Sequence, residues 1–156
     1  MIPLVVQLMI SFSLAQEPTC RTASSRVENV VASKVRELKG DELCQFRLYD
    51  HLHDIDGDHR DDFLMVFSVE GINRSANATR QFLAAFPSGS RWEPSVVEVG
   101  RRGVREVLKL DVEGRTVVLT TAERQEGDAI CCLSGSGKLV FRFERGKLVS
   151  SKPSNE

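Results

Sequence analysis

Six aspartates and all three histidines of this 156-residue chain fall within residues 50–62. An apolar run follows at once at residues 63–67, and such a run is typical of a buried strand. This order constrains the fold, because a segment crowded with like charges must be stabilised where it enters the core. We therefore expect a cation to bind in this acidic stretch.

The spacing of the carboxylates in residues 54–62, the acidic loop, favours a hard cation. Calcium takes about six to eight oxygen ligands, and a tight loop can supply them from alternate positions. The predicted ligands are the side chains of Asp54, Asp56, Asp58 and Asp62 and the backbone carbonyl of Arg60. An EF-hand is excluded, since that motif needs glycine and glutamate where this chain has His59 and Met65.

Two other interpretations of the acidic stretch stay open. His51, His53 and His59, together with a neighbouring aspartate, could hold zinc or copper through ring nitrogens. Alternatively, the stretch is a solvated turn that binds no ion.

The acidic loop resembles the short D-x-[DN]-G-D-G-x-x-D loop of FG-GAP and VCBS repeats, the blades of integrin-type propellers, in which such loops bind calcium between strands. The resemblance implies side-chain ligands at the four aspartates and a carbonyl ligand at Arg60. His59 replaces the second glycine of the family, so the site is strained if that position needs a positive φ. The chain contains no second copy of the loop, and a closed propeller is therefore not indicated.

The whole chain resembles a group of small bacterial exported proteins and lipoproteins. The matching pieces are the acidic loop, the V-E-G-x-N turn at residues 69–73 and the adjacent Cys131 and Cys132. This resemblance implies a single exported domain and suggests little about its function.

Four cysteines in an exported chain are expected to pair, and three connectivities are possible. In the group that the chain resembles, the adjacent cysteines are often the only ones. The resemblance therefore favours bridges between Cys20 and Cys44 and between Cys131 and Cys132, with crossed pairings as the alternative.

Residues 1–15 are apolar, carry no charged side chain and end in Ser13-Leu14-Ala15. The pattern predicts a signal peptide that is cleaved before Gln16, and the run is too short to span a bilayer. A buried first strand is the alternative. We expect a periplasmic or secreted bacterial protein without a lipid anchor or membrane span.

The fold is predicted from the spacing of the apolar residues along the chain. Helical spacing of the apolar residues Val27, Val30, Val31, Val35 and Leu38 predicts a helix, with Ser24 or Ser25 as its cap and Gly40 as its stop. Alternation begins at residue 43, and further strands are predicted at residues 63–69, 81–86, 92–99, 104–112, 116–121, 139–143 and 148–149. We predict an α+β fold with one N-terminal helix packed on an antiparallel β-meander, a single domain over residues 16–150 and a frayed tail at residues 151–156.

The chain lacks the common catalytic motifs G-x-S-x-G, H-E-x-x-H and C-x-x-C, and its net charge of −1 does not suggest nucleic-acid binding. We expect a monomeric, non-catalytic, calcium-stabilised domain that binds a protein or envelope component, for example as an inhibitor or immunity protein. The alternatives are a metal-dependent hydrolase and a purely structural envelope accessory protein. The predicted contact residues are Glu70, Asn73, Arg101, Arg102 and Arg105, and a cation-locked loop would hold its flanking turns rigid for a partner.

Overall fold

The computed structural model describes Cys20, residues 24–89 and residues 91–151. The predicted signal peptide and residues 152–156 of the predicted tail lie outside the described residues. The helix is α1 (Ser25–Leu38), and the strands are β1 (Asp41–Glu42), β2 (Leu48–His53), β3 (Asp62–Glu70), β4 (Arg80–Phe86), β5 (Ser95–Arg101), β6 (Arg105–Glu113), β7 (Thr116–Glu123), β8 (Gly135–Glu144) and β9 (Lys147–Ser151). Short 3₁₀ turns occupy Cys44–Phe46 and Ile72–Arg74.

The nine strands form one antiparallel sheet in the order β1-β3-β4-β5-β6-β7-β8-β9, and β2 also pairs with β3. The prediction of one helix and an antiparallel sheet in a single domain is confirmed at this level, although the described chain is mostly β. Consecutive strands neighbour one another from β3 onward. Every second turn therefore lies at the same end of the sheet, which decides which loops can form a site together.

The sheet folds around its main core. In the described chain β5 and β6 share the single residue pair Arg101 and Arg105, while β2 lies close to β6 and β5 lies close to β9. The two halves of the sheet therefore face each other. The buried side chains between them are Ile55, Leu64, Val66, Leu83, Ala85, Val99, Val107, Val117, Leu119, Phe141, Phe143 and Leu148.

Strand β3 is buried on both of its faces. Leu64 and Val66 point into the main core, whereas Met65 and Phe67 belong to a second cluster with Val27 and Val31 of α1. Successive side chains of a strand point to opposite faces, so a strand covered on both sides needs a continuous apolar run. This double burial explains the apolar sequence that follows the acidic loop.

Helix α1 ends in a pair of capping hydrogen bonds. The Gly40 N–H donates to the Val35 carbonyl and the Lys39 N–H donates to the Arg36 carbonyl, both at 3.2 Å, and Lys39 has φ 51°. The predicted stop at Gly40 is therefore displaced by one residue, since Lys39 takes the left-handed conformation. Gly40 is needed for a different reason, because a Cβ there would overlap the Glu70 carbonyl oxygen and lie 2.9 Å from Val69.

The prediction of one strand running from residue 43 is wrong, because a 3₁₀ turn at Cys44–Phe46 separates β1 from β2. Both strands pair with β3, Glu42 with Val69 and Leu48 with Val66. Six positions separate Glu42 from Leu48, but three separate their partners. The turn takes up the three extra residues.

The predicted hairpin is confirmed, with Glu113 paired to Thr116 around Gly114 at φ 63°. The strand predicted from residue 92 begins instead at Ser95, after Pro94, which has no N–H to donate to a neighbouring strand. The predicted frayed tail begins too early, since Ser151 pairs with Val140 in the described chain.

Candidate metal centre

The acidic loop joins β2 to β3 and is anchored in the core at two points. Ile55 is fully buried among the main-core side chains. Asp62, the first residue of β3, is 2% exposed. The loop is therefore fixed between two buried residues, and the aspartates between them are held in place.

Asp62 fastens the acidic loop to the turn between β4 and β5. Its Oδ2 accepts hydrogen bonds from the N–H groups of Ile55 (2.9 Å) and Asp56 (3.3 Å). Its Oδ1 accepts hydrogen bonds from the Ser88 N–H (2.8 Å) and hydroxyl (3.2 Å). Both oxygens of this predicted ligand are thus engaged within the protein.

Three of the predicted ligands do converge. One carboxylate oxygen from each of Asp54, Asp56 and Asp58 lies within 4.8 Å of the others. Asp62 lies outside this group. The backbone N–H of Arg60 donates a hydrogen bond to Asp58 Oδ1 at 2.9 Å. The structure therefore brings together three side chains of the predicted set.

Backbone N–H groups orient the converging carboxylates. Asp54 accepts hydrogen bonds from Gly57 (2.5 Å), Asp58 (3.2 Å) and His59 (3.0 Å). Burial raises the pKa of the Asp54 carboxyl, but these bonds, with a smaller contribution from Arg115, outweigh it and hold the pKa below its ordinary value. Asp54 is therefore a preorganised anion.

Asp56 has the opposite environment. Its Oδ1 accepts the Asp58 N–H at 3.0 Å, whereas its buried Oδ2 has no hydrogen-bond partner in the described chain. Burial raises the pKa of Asp56, and the neighbouring charges of Asp62, Asp58 and Asp54 raise it further. A buried carboxylate oxygen without a partner is costly, and a cation bound at Oδ2 would remove that cost.

The backbone of the acidic loop twice takes the left-handed conformation. Gly57 has φ 84° and His59 has φ 67°. We expect strain at residue 59 if that position needs a positive φ, and His59 does have a positive φ. The left-handed conformation costs about 1–2 kcal/mol for a residue with a Cβ. His59 is therefore a strained residue at a position where the FG-GAP and VCBS loops, which this loop resembles, have glycine.

Arg115, in the turn between β6 and β7, is a neighbour of the acidic loop that sequence reasoning missed. Its Nε donates to the Ile55 carbonyl at 3.4 Å. A Cβ added to Gly57 would lie 2.7 Å from Arg115 Nη2. Only the strand order could have indicated this contact, because it puts the turn between β6 and β7 at the same end of the sheet as the acidic loop.

The three histidines do not join the aspartate group. His53 Nδ1 lies 2.9 Å from Asp50 Oδ1, and His51 lines a cavity with Asp61 and Asp62. His59 enters the loop geometry through its backbone N–H. The arrangement favours oxygen ligands over the zinc or copper alternative.

The predicted contact residues lie at the other end of β3. Register places Val69 beside Arg80, Arg80 beside Arg101 and Arg101 beside Arg105, so the two predicted contact turns share one end of the sheet. The nine residues of β3, at about 3.4 Å each, put Asp62 and Glu70 roughly 27 Å apart. The acidic loop therefore does not flank these turns.

A groove of about 300 Å³ opens at this second end of the sheet. Three predicted contact residues line it, Glu70, Arg102 and Arg105, whereas Asn73 and Arg101 do not. The lining contains both apolar and polar residues, which include Leu43, Phe46, Ser68, Gln81, Ile130 and Leu133. We call this feature the arginine groove.

Both disulfides lie near the arginine groove. Cys20 bonds to Cys44, with 5.1 Å between their Cα atoms, as the favoured pairing predicted. Cys131 bonds to Cys132, and Cys131 itself lines the groove. Cys44 stands in the sequence between the groove residues Leu43 and Phe46, so each bridge lies next to residues that line the groove.

No protein-family model, curated protein or solved structure matches the chain. No helix among the described residues has both the length and the apolar character needed to cross a bilayer.

Proposed function

We propose that this chain is an exported, non-catalytic domain that binds calcium in its acidic loop and a protein or envelope component at its arginine groove. The observation that carries the metal proposal is the partnerless, buried Oδ2 of Asp56 within the converging group of three aspartates. An all-carboxylate donor set suits a hard cation, and backbone carbonyls and water would complete its coordination.

The residues present fit a structural ion. Asp54, Asp56 and Asp58 would hold it, and Asp62 would support them by fixing the loop backbone. The ion would offset the burial of the Asp56 carboxyl and its repulsion by neighbouring carboxylates, both of which raise the pKa of Asp56. Calcium would thus stabilise the folded chain without activating a substrate.

The partner surface is proposed at the arginine groove because charged and apolar groups meet there. Phe46 is 46% exposed and Ile130 is 60% exposed. Arg102 is exposed beside them and lines the same cavity. Buried apolar anchors inside a charged rim are typical of protein-binding sites.

An affinity experiment tests the partner proposal. The immobilised chain should recover one specific protein or envelope component from native extract, and Arg102→Glu should weaken recovery at least about tenfold by reversing a groove charge. Arg142→Glu, an exposed residue of β8 outside the groove, is the matched control. Equal loss in both variants, or no specific recovery by the unmodified chain, would contradict the proposal.

A hydrolase would give a different result. Metal-dependent hydrolysis of an envelope substrate that disappears in Asp58→Asn, with the fold retained, would replace the binding proposal by the catalytic alternative. A purely structural protein would recover no specific partner.

A further inference from the structure

Residues 124–134, which we call the cystine loop, connect β7 to β8 and are closed by Asp128. Its Oδ2 accepts hydrogen bonds from the N–H groups of Gln125 (2.7 Å) and Ser134 (2.9 Å). Its Oδ1 accepts the Ser134 hydroxyl at 2.7 Å. The base of the cystine loop is therefore tied together by groups other than the bridge between Cys131 and Cys132.

The bridge between Cys131 and Cys132 contributes little to global stability through chain entropy. A disulfide stabilises mainly by restricting the unfolded chain, and the effect grows with the length of the loop that it closes. Cys131 and Cys132 are adjacent, whereas Cys20 and Cys44 are 24 positions apart. The effect of the adjacent bridge must therefore be local.

The two bridges also differ in exposure. Cys131 and Cys132 are both exposed, whereas Cys20 and Cys44 are partly buried. Thiol–disulfide exchange requires a thiolate to reach a sulfur of the bridge, so access favours reaction at the adjacent pair. The fold does not depend on this pair for its closure, and exchange there can leave the sheet intact.

The local segment that this bridge constrains is a wall of the arginine groove. Ile130, Cys131 and Leu133 all line the groove. Ile130 packs so closely on the turn between β5 and β6 that a Cβ at Gly103 would lie 2.9 Å from its Cγ2. A change in the backbone at Cys131 and Cys132 would therefore move side chains on both sides of the bridge.

We propose that the Cys131–Cys132 bridge is a site of reversible thiol–disulfide exchange, and that its state sets the shape of the arginine groove. An external dithiol supplies two electrons and two protons. The sulfur–sulfur bond breaks, two thiols form on the chain, and the dithiol becomes a disulfide. A disulfide oxidant reverses the reaction and takes the electrons and protons back. The proposal does not depend on metal binding.

A redox titration of the full chain tests the site. The native protein is equilibrated with increasing dithiothreitol, free thiols are alkylated, and the remaining bridges are then reduced and labelled with a heavier reagent. Mass spectrometry reads residues 125–138 as one tryptic peptide, separately from Cys20 and Cys44. We expect Cys131 and Cys132 to be half reduced at a dithiol concentration at least about tenfold lower than Cys20 and Cys44.

Hydrogen exchange measures the structural consequence. Reduction of the adjacent pair should increase exchange in residues 129–134 and 102–104, leave β3 protected, and shift the melting temperature by less than about 2 °C. Cys131→Ser with Cys132→Ser should reproduce this pattern, and Cys20→Ser with Cys44→Ser is the matched control that should not. Reduction of both pairs at the same dithiol concentration, or unchanged exchange at the groove after selective reduction, would overturn the proposal.

Discussion

His59 shows how much a single residue constrains the acidic loop. Its φ of 67° lies in the left-handed region, and its N–H donates to Asp54 Oδ2 at 3.0 Å. The side chain of His59 is exposed and does not belong to the converging aspartate group. The loop therefore carries strain that a side chain at this position makes unavoidable.

Replacing His59 by glycine should stabilise the protein. Relief of about 1–2 kcal/mol of left-handed strain exceeds the added chain entropy of glycine, so we expect the free energy of unfolding to rise by about 0.5–1 kcal/mol. Urea denaturation in the presence of a chelator measures the change. Gly57→Ala is the opposite control, because φ 84° and the nearby Arg115 both oppose a Cβ there. A lower free energy of unfolding for His59→Gly would contradict this prediction and would mean that the His59 side chain makes a stabilising contact.

Arg47 is a single residue that constrains the structure at the other end of the sheet. Its side chain is 3% exposed, and it pairs with Glu42 at 2.6 Å and Glu28 at 3.1 Å. It also donates to the Cys20 carbonyl at 3.1 Å. Burial alone would lower the pKa of Arg47, but its bonds to Glu42, Glu28 and Tyr49 raise it above the ordinary arginine value. The guanidinium thus joins α1 and β1 to the segment at Cys20.

Removing this guanidinium should be strongly destabilising. Arg47→Ala removes a buried guanidinium that pairs with two partly buried carboxylates, and we expect a loss of about 3–5 kcal/mol in the free energy of unfolding. Arg47→Lys should lose less, since an ammonium keeps the charge without the planar fork. Denaturant unfolding measures both.

The matched control is Glu37→Ala, which breaks the pair between Lys34 and the exposed Glu37 at 2.7 Å. Such a surface pair contributes less than about 1 kcal/mol. Similar losses for Arg47→Ala and Glu37→Ala would contradict the structural role of Arg47.

At the scale of elements, the Cys20–Cys44 bridge ties the chain ahead of α1 to the turn between β1 and β2. The bridge closes a loop across a separation of 24 residues. This loop contains the whole of α1, whose Val27 and Val31 are buried against β3 and β4 side chains. The covalent bond and the apolar contacts therefore hold the same helix.

Loss of the Cys20–Cys44 bridge should lower stability much more than loss of the adjacent bridge. For a loop of this length we expect about 3 kcal/mol, from the extra conformational entropy of the unfolded chain. Denaturant unfolding of Cys20→Ser with Cys44→Ser, beside Cys131→Ser with Cys132→Ser, makes the comparison. Equal losses in the two double variants would show that loop closure is not the source of the effect.

Local patterns predict some elements well and fail where the element depends on distant pairing. The hairpin around Gly114 follows from alternation and one turn residue, and α1 follows from helical spacing. The turn at Cys44–Phe46 does not, because it arises from the register of two strands on β3. The same limit applies to side chains, since Arg47 and Arg115 meet their partners through the strand order.

The candidate site could be predicted in part. The convergence of Asp54, Asp56 and Asp58 is a local property of alternate positions in a tight loop. The engagement of Asp62 by Ser88 is not, because Ser88 lies 26 positions further along the chain. Spacing therefore identified the aspartates that converge, but it could not show that Asp62 is an anchor that faces inward.

At the scale of the whole molecule, the sheet carries two candidate surfaces at opposite ends. The acidic loop lies beside the turns at Ser88 and Arg115. The arginine groove gathers the turns that follow β3, β5 and β7, together with both bridges. Strand β3 connects the two surfaces and is buried on both faces, so metal binding would stabilise the groove through the fold as a whole.

Thermal unfolding with calcium and with a chelator tests the metal site most directly. At a calcium concentration about 100 times the dissociation constant, binding to the folded loop adds about 2.7 kcal/mol, which corresponds to a rise of about 5–10 °C in melting temperature. The double variant Asp56→Asn, Asp58→Asn should lose this rise, and Asp61→Asn, an exposed aspartate outside the group, should keep it. In chelator the double variant should unfold at or above the temperature of the unmodified chain, because it removes carboxylates that now repel one another. A melting temperature that calcium leaves unchanged, or raises equally in the double variant, would contradict a calcium site in the acidic loop.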